Sequence, residues 1–193
     1  LARTQAADYE QRREAIVDRA ARLFARRGFD GSSVADLAAA CDTSKSLIYH
    51  YYPSKEDILY AVMSSHIDQL VADVGAVLAR GGGAAEQLDA LIHTFMGHYV
   101  GAADRQKVLL NELDSLPPEQ RATVVAKQRR VVDAVQALLV ALDPELGLDP
   151  ARARAKTMLL FGMINWTHTW YDPDGPIPPA QIADMALAMV QAS

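Results

Sequence analysis

Apolar positions recur with a helical period along almost the whole chain. Ile16, Ala20, Leu23 and Phe24 stand at i, i+4, i+7 and i+8, which predicts an amphipathic helix over residues 9–27 with Gly28 as its stop. Ser33 followed by Asp36 is a capping-box pair, and it opens a helix of about two turns whose apolar positions are Val34, Leu37 and Ala38. Thr43 or Ser44 caps a second short helix reaching Tyr51, which Pro53 ends because the residue before a proline avoids the helical region. Ser54 and Asp57 repeat the capping pattern and start a long helix to about residue 79.

Beyond the flexible joint at Gly81, Gly82 and Gly83, the helical period continues. Leu88, Leu91, Ile92, Phe95 and Tyr99 mark one helix, and residues 108–116 a shorter one halted by Pro117 and Pro118. Val124, Val131, Val135, Leu138 and Leu142 mark a long helix closed by the loop of Asp143, Pro144 and Gly147. Asp149 and Pro150 open an apolar helix to Trp170, and Ile182, Met185, Ala186, Met189 and Val190 lay an apolar stripe along a last one. With no alternating strand pattern, the expected fold is all-α with about nine helices. A three-helix unit over residues 1–53 precedes a larger helical bundle over residues 54–193.

Composition narrows the class. A chain of 193 residues that is 50% apolar builds a core without staples, and its single cysteine, Cys41, rules out an internal disulfide. Nothing near the start resembles an export signal, so a cytoplasmic address is expected; Leu1 in place of Met suggests a further N-terminal arm. The apolar run 157–170 contains Asn165 and His168 and is too short to span a bilayer. Residues 1–60 carry nine basic and nine acidic side chains, so the net charge of −5 lies wholly in residues 61–193. Within the balanced part Arg3, Arg12, Arg13, Arg22, Arg26 and Arg27 outnumber their acidic neighbours locally, which leaves room for a focused anionic partner. The five histidines lack metal-ligand spacing, and no nucleophile motif or phosphate-binding glycine loop is present, so neither metal, cofactor nor catalysis is expected.

Residues 33–52 have the layout of a helix-turn-helix, whose second helix must project into a major groove. If Ile48 and Tyr52 face inward, Lys45, Ser46, Tyr49 and His50 fall on the opposite side. Lys45 suits a guanine edge or a phosphate, Tyr49 and His50 suit phosphates, and Leu47 suits a thymine methyl, with Thr43 and Ser44 at the helix start. Ser33 and Lys55 stand at helix starts where backbone amides favour a phosphate. On these residues alone, a surface helical hairpin with no DNA role stays open.

The run SSVADLAAACDTSKSLIYHYYPSKEDIL resembles the DNA-binding signature of the TetR family of regulators, which covers about the first 60 residues. The resemblance implies that Ser33, Lys45, Tyr49, His50 and Lys55 contact double-stranded DNA at a palindromic operator, with Ile48 and Tyr52 as core. Two positions depart from the family pattern: Asp42 and Ser46 stand where Gly is usual. Asp tolerates a left-handed backbone, so the turn is expected to survive, whereas base preference does not carry over.

The resemblance also implies a homodimer joined through its last two helices, with Met158, Phe161, Gly162, Ile182, Met185 and Met189 as the interface candidates. The alternative is that this stripe packs on its own domain. MLLFGMINWTHTWYDPDGP, residues 158–176, is similar to a subgroup of TetR regulators of fatty, aromatic or steroid acid catabolism that respond to acyl-coenzyme A thioesters. Asn165, Trp166, Thr169 and Trp170 offer rings and polar groups for a ligand, and Phe95, His98 and Tyr99 a facing wall. Arg129 and Arg130, beside Lys127, suit phosphates such as those of coenzyme A, or form a solvated helix face. The implied function is a repressor released by ligand. The alternatives are a regulator answering another hydrophobic small molecule, and a ligand-binding bundle without DNA function.

Overall fold

The computed structural model describes residues 2–191, with side chains from residue 7 onward. The elements run α1 (Ala2–Arg27), α2 (Val34–Ala40), α3 (Lys45–Tyr51), α4 (Lys55–Ala79), α5 (Ala84–Gly101), α6 (Ala103–Asn111), α7 (Pro118–Leu142), α8 (Pro150–Asn165), α9 (Thr167–Trp170) and α10 (Pro179–Gln191). Short 3-10 segments occupy Leu113–Ser115 and Pro144–Leu148, and the described residues include no strand. The first helix begins earlier than its apolar stripe predicts. The run expected as one helix to Trp170 is broken at Trp166, where Thr167 Oγ1 donates to the Ile164 carbonyl at 2.6 Å. The Arg3 side chain lies outside the described residues.

The chain forms two compact units, one of residues 1–66 and 104–124, the other of residues 67–103 and 125–193. This partition differs from a cut at residue 53, because most of α6 and the start of α7 fold with the first helices. Arg105 carries much of that association: its guanidinium donates to Glu14, to Asp18 Oδ1 at 2.8 Å and to Ser65 Oγ at 2.8 Å. Burial alone would lower its pKa, but the hydrogen bonds it donates to Glu14 and Asp18, with their charges, outweigh that and raise it. Next to it the buried pair His66 and Gln106 lies 2.6 Å apart, Nε2 to Oε1, which joins α4 to α6.

Local chemistry sets the helix ends in the first unit. Gly28 takes φ 74° and its amide donates to the Phe24 carbonyl at 2.9 Å, ending α1. Ser33 and Asp36 form the reciprocal box at the start of α2, and at the start of α4 Ser54 Oγ donates to Asp57 Oδ2 at 2.6 Å and accepts from the Asp57 amide at 3.0 Å. Ser44, not Thr43, caps α3, its Oγ accepting from the Leu47 amide at 3.2 Å. Asp42 holds φ 51° in the turn between α2 and α3, the left-handed geometry that a missing glycine would otherwise supply. Phe24 and Phe29, with ring centroids 5.5 Å apart, anchor a core completed by Leu37, Ile48, Leu59 and Met63.

In the second unit α10 packs against α5 and α8. Leu91, Ile92 and Phe95 from α5 and Ala183, Leu187 and Val190 from α10 are buried. On α8, Ala153, Thr157, Leu160, Phe161 and Ile164 form the buried face. Polar contacts tie the periphery: His98 Nε2 lies 2.7 Å from Asp73 Oδ2, and ion pairs join Lys127 to Asp68 at 2.6 Å and Arg154 to Asp133 at 2.9 Å. Among the described residues no helix is long and apolar enough to cross a membrane.

The left-handed turn residue is directly testable. Asp42→Gly should leave stability unchanged or slightly raised, while Asp42→Ala should cost about 1–2 kcal/mol. Urea unfolding measures both, and equal stability for the two variants would remove any strain from this position.

Candidate nucleic-acid interface and ligand domain

Helix α3 sits on α2 through Ile48, which is fully buried, and Tyr52 just past its end is buried as well. A helical repeat then leaves Lys45, Ser46, Tyr49 and His50 exposed and Leu47 half-buried. Tyr49 is 48% exposed, a large ring left in water on a unit whose other rings are mostly packed. His50 packs edge-on against Tyr51 at 5.3 Å and against Tyr9 at 6.3 Å, while Tyr9 and Tyr51 meet at 4.8 Å. Beside the turn, a hollow of about 390 Å³ is bounded by Arg12 and Arg19 of α1 and by Thr43 and Leu47. Arg19 and Tyr9 escaped sequence reasoning, because their approach to α3 depends on how α1 crosses it.

Two expected phosphate ligands are already engaged. Lys55 Nζ donates to the carbonyls of Phe29 and Ser32, each at 2.9 Å, and lies 3.9 Å from the Phe29 ring centre. Its ammonium therefore clasps the α1–α2 loop to the start of α4. Ser33 donates to Asp36 Oδ2 at 2.5 Å and accepts from the Asp36 amide at 3.1 Å. These hydrogen bonds hold the Asp36 carboxyl below its ordinary value: the Ser33 hydroxyl acts most strongly, then the Ser33 amide, then the charge of Arg27 at 3.5 Å. The thiol of Cys41, by contrast, is pushed up by burial.

The residues expected to wall a ligand separate into two groups. Phe95 and Tyr99 are buried and stack with centroids 6.3 Å apart. Phe161, placed by sequence on the dimer face, instead packs on Phe95 at 6.3 Å. His98 pairs with Asp73 at the edge of this cluster. Trp166 and Trp170 are 64% and 55% exposed and face the other way. They line a groove of about 550 Å³ with Met158, Leu159, Gly162, Met163, Met185 and Met189. Ile182 borders the groove but is itself buried.

Helix α8 is apolar on both faces, so its period could not tell core from groove; Leu159 and Met163 were missed for that reason. Asn165 is half-buried, Thr169 donates to the Trp166 carbonyl at 2.7 Å, and Arg129 and Arg130 are exposed. Asp89, His93 and Asp184 converge across α5 and α10, an approach that spacing along the chain did not suggest.

An all-α chain with a capped helix-turn-helix and a separate bundle with an exposed apolar groove is a helix-turn-helix regulator by architecture. Residues 16–62 match the bacterial regulatory proteins of the tetR family, and residues 81–193 match the tetracyclin repressor-like C-terminal domain. The chain belongs to the TetR family and is a DNA-binding transcriptional regulator. It is similar to a TetR-family regulator from Bordetella parapertussis 12822, at 38% identity and TM-score 0.89 over 92% of this chain and 93% of that one. It is also similar to AibR solved with isovaleryl coenzyme A and operator DNA, at 28% identity and TM-score 0.81, covering 92% and 97%. The HTH-type transcriptional repressor KstR2 of Rhodococcus jostii (strain RHA1) is 24% identical over 183 residues, 93% of this chain and 89% of that protein.

The Ser33–Asp36 box makes a pH prediction. Because the folded pKa of Asp36 is lowered, its stabilisation is complete above the ordinary value of 3.8 and disappears as pH falls through the lower folded value. The stability gap between the wild type and Asp36→Asn should hold steady above about pH 4 and close on further acidification. Denaturant titrations at several pH values measure it, and a gap independent of pH would mean the carboxylate contributes nothing.

Proposed function

We propose that this regulator is a homodimeric, cytoplasmic repressor whose two recognition helices read a palindromic operator and which an acyl-coenzyme A, or a similar hydrophobic ligand, releases. It acts by binding and performs no catalysis. Residues 1–53 serve DNA, with Lys45, Ser46, Leu47, Tyr49 and His50 meeting the major groove and Ser33, Thr43 and Ser44 along its phosphates, supported by Lys55 at the start of α4. The observation that carries this reading is the outward face of α3, polar and basic while Ile48 and Tyr52 hold its back to the core. For Lys55 the proposal is an indirect one: two of its donors are taken, so it sets the loop that presents Ser33.

Residues 54–193 bind ligand and join the dimer. The groove of α8–α10 leaves Met158, Met185 and Met189 exposed at 49%, 41% and 63%, a patch that a second copy would cover. A dimer would set its recognition helices about 34 Å apart, one turn of DNA. The ligand class rests on the likeness to AibR, whose structure holds isovaleryl coenzyme A. In this chain the aromatic layer of Phe95 and Tyr99, the polar edge at His98, and Asn165 suit the acyl end, and Arg129 and Arg130 suit its phosphates. Trp166 and Trp170 line the groove and so belong to the dimer, and Thr169, whose hydroxyl donates to the Trp166 carbonyl, holds the turn between them. A near-complete switch needs the ligand to prefer the released state by about 5.5 kcal/mol.

Mobility shift of a fragment from upstream of the protein's own gene, with acyl-coenzyme A thioesters at fixed salt, tests this function. We expect a specific shift that one thioester releases. Lys45→Ala or Tyr49→Ala should weaken it by about 1–3 kcal/mol, and removing a side chain that meets a phosphate should reduce the salt slope by about 1. A complex insensitive to every thioester would exclude that ligand class, and one tightened by ligand would reverse the sign of regulation. Met185→Asp and Met189→Asp should turn a dimer into a helical monomer by analytical ultracentrifugation; a dimer that survives both is joined elsewhere.

A further inference from the structure

Asp89 and His93 lie one turn apart on α5, and Asp184 meets them from α10. His93 Nε2 stands 3.0 Å from Asp184 Oδ1, Asp89 Oδ2 lies 3.5 Å from His93 Nδ1, and one ligand atom from each residue falls within 4.8 Å of the others. His93 Nδ1 is also 2.9 Å from the Asp89 carbonyl oxygen, which only accepts, so Nδ1 carries the hydrogen. Nε2, the other ring nitrogen, faces the Asp184 carboxylate.

We propose that this cluster is a divalent transition-metal site, with His93 Nε2 and the carboxylates of Asp89 and Asp184 as ligands and water completing the shell. An imidazole with two carboxylates suits zinc, nickel or cobalt rather than magnesium or calcium, which take oxygen donors. Donors about 2.1 Å from a metal stand about 3.0 Å apart at octahedral angles and about 3.4 Å apart at tetrahedral ones, so Nε2 and Oδ1 at 3.0 Å lie within reach of one ion. The Nδ1 hydrogen bond to a backbone carbonyl orients the ring as it does for metal-binding histidines in general. The Asp89 and Asp184 side chains are 62% and 64% exposed and that of His93 is 30% exposed, so an ion reaches the site from solvent with a modest turn of Asp89. None of the three lines the apolar groove. An ion here would cross-link α5 and α10 without touching the groove.

The test uses the full chain stripped of metal. Cobalt(II) absorption and zinc calorimetry should report one ion per chain, and zinc should raise the melting temperature. His93→Ala and Asp184→Asn, checked for helicity, should each weaken binding by at least about tenfold and abolish the thermal shift, whereas His50→Ala should change neither. Binding that persists in both variants overturns the proposal. So does the absence of any specific ion in the wild type.

Discussion

Helix α3 has seven residues, and a helix that short does not persist in water by itself. Its existence depends on burying Ile48 and Tyr52, and that burial is also what aims its polar side outward. With a repeat of 3.6 residues, fixing two positions on the inner side leaves Lys45, Ser46, Tyr49 and His50 no choice of face. The cap from Ser44 and the left-handed Asp42 complete the restraint at its N-terminal end. The pocket that receives Ile48 depends in turn on Phe24, Leu37 and the Lys55 clasp holding α1, α2 and α4 together.

Charge in the first unit is arranged to the same end. Glu14 and Asp18 are drawn to Arg105, and Asp36 is taken up by its capping box and by Arg27. These three carboxylates are thus engaged with partners inside the unit, while Lys45 stands exposed. The zero charge of residues 1–60 conceals this sorting. An anionic polymer responds to the local field within about 8 Å at physiological salt, so the arrangement matters more than the sum.

The second unit turns on α8, whose apolar residues outnumber the positions on one side of a helix. Phe161 closes the core on Phe95, and the surplus of Met158, Leu159 and Met163 forms the groove with α10. Apolar area left in water is unfavourable at about 25 cal/mol per Å², which is the physical pressure toward a partner on that face.

Helix positions, caps and the turn were legible in the sequence because each rests on neighbours within about four residues: Ser33 on Asp36, Ser44 on Leu47, Gly28 on Phe24. The inward side of α3 was legible too, since one helical period with two apolar anchors has a single solution. Periodicity could not choose between the two faces of α8, which put Phe161 on the dimer face although it packs inward on Phe95. Nor could it foresee that Lys55 reaches carbonyls 23 and 26 residues away, that Arg105 binds α1, or that Asp184 joins Asp89 and His93. By itself the sequence determined most of the helices, the caps of the first unit and the DNA-reading layout, through short-range hydrogen bonds and the helical repeat. Only the tertiary structure decided which charged and aromatic side chains meet, because those contacts depend on how separate helices cross.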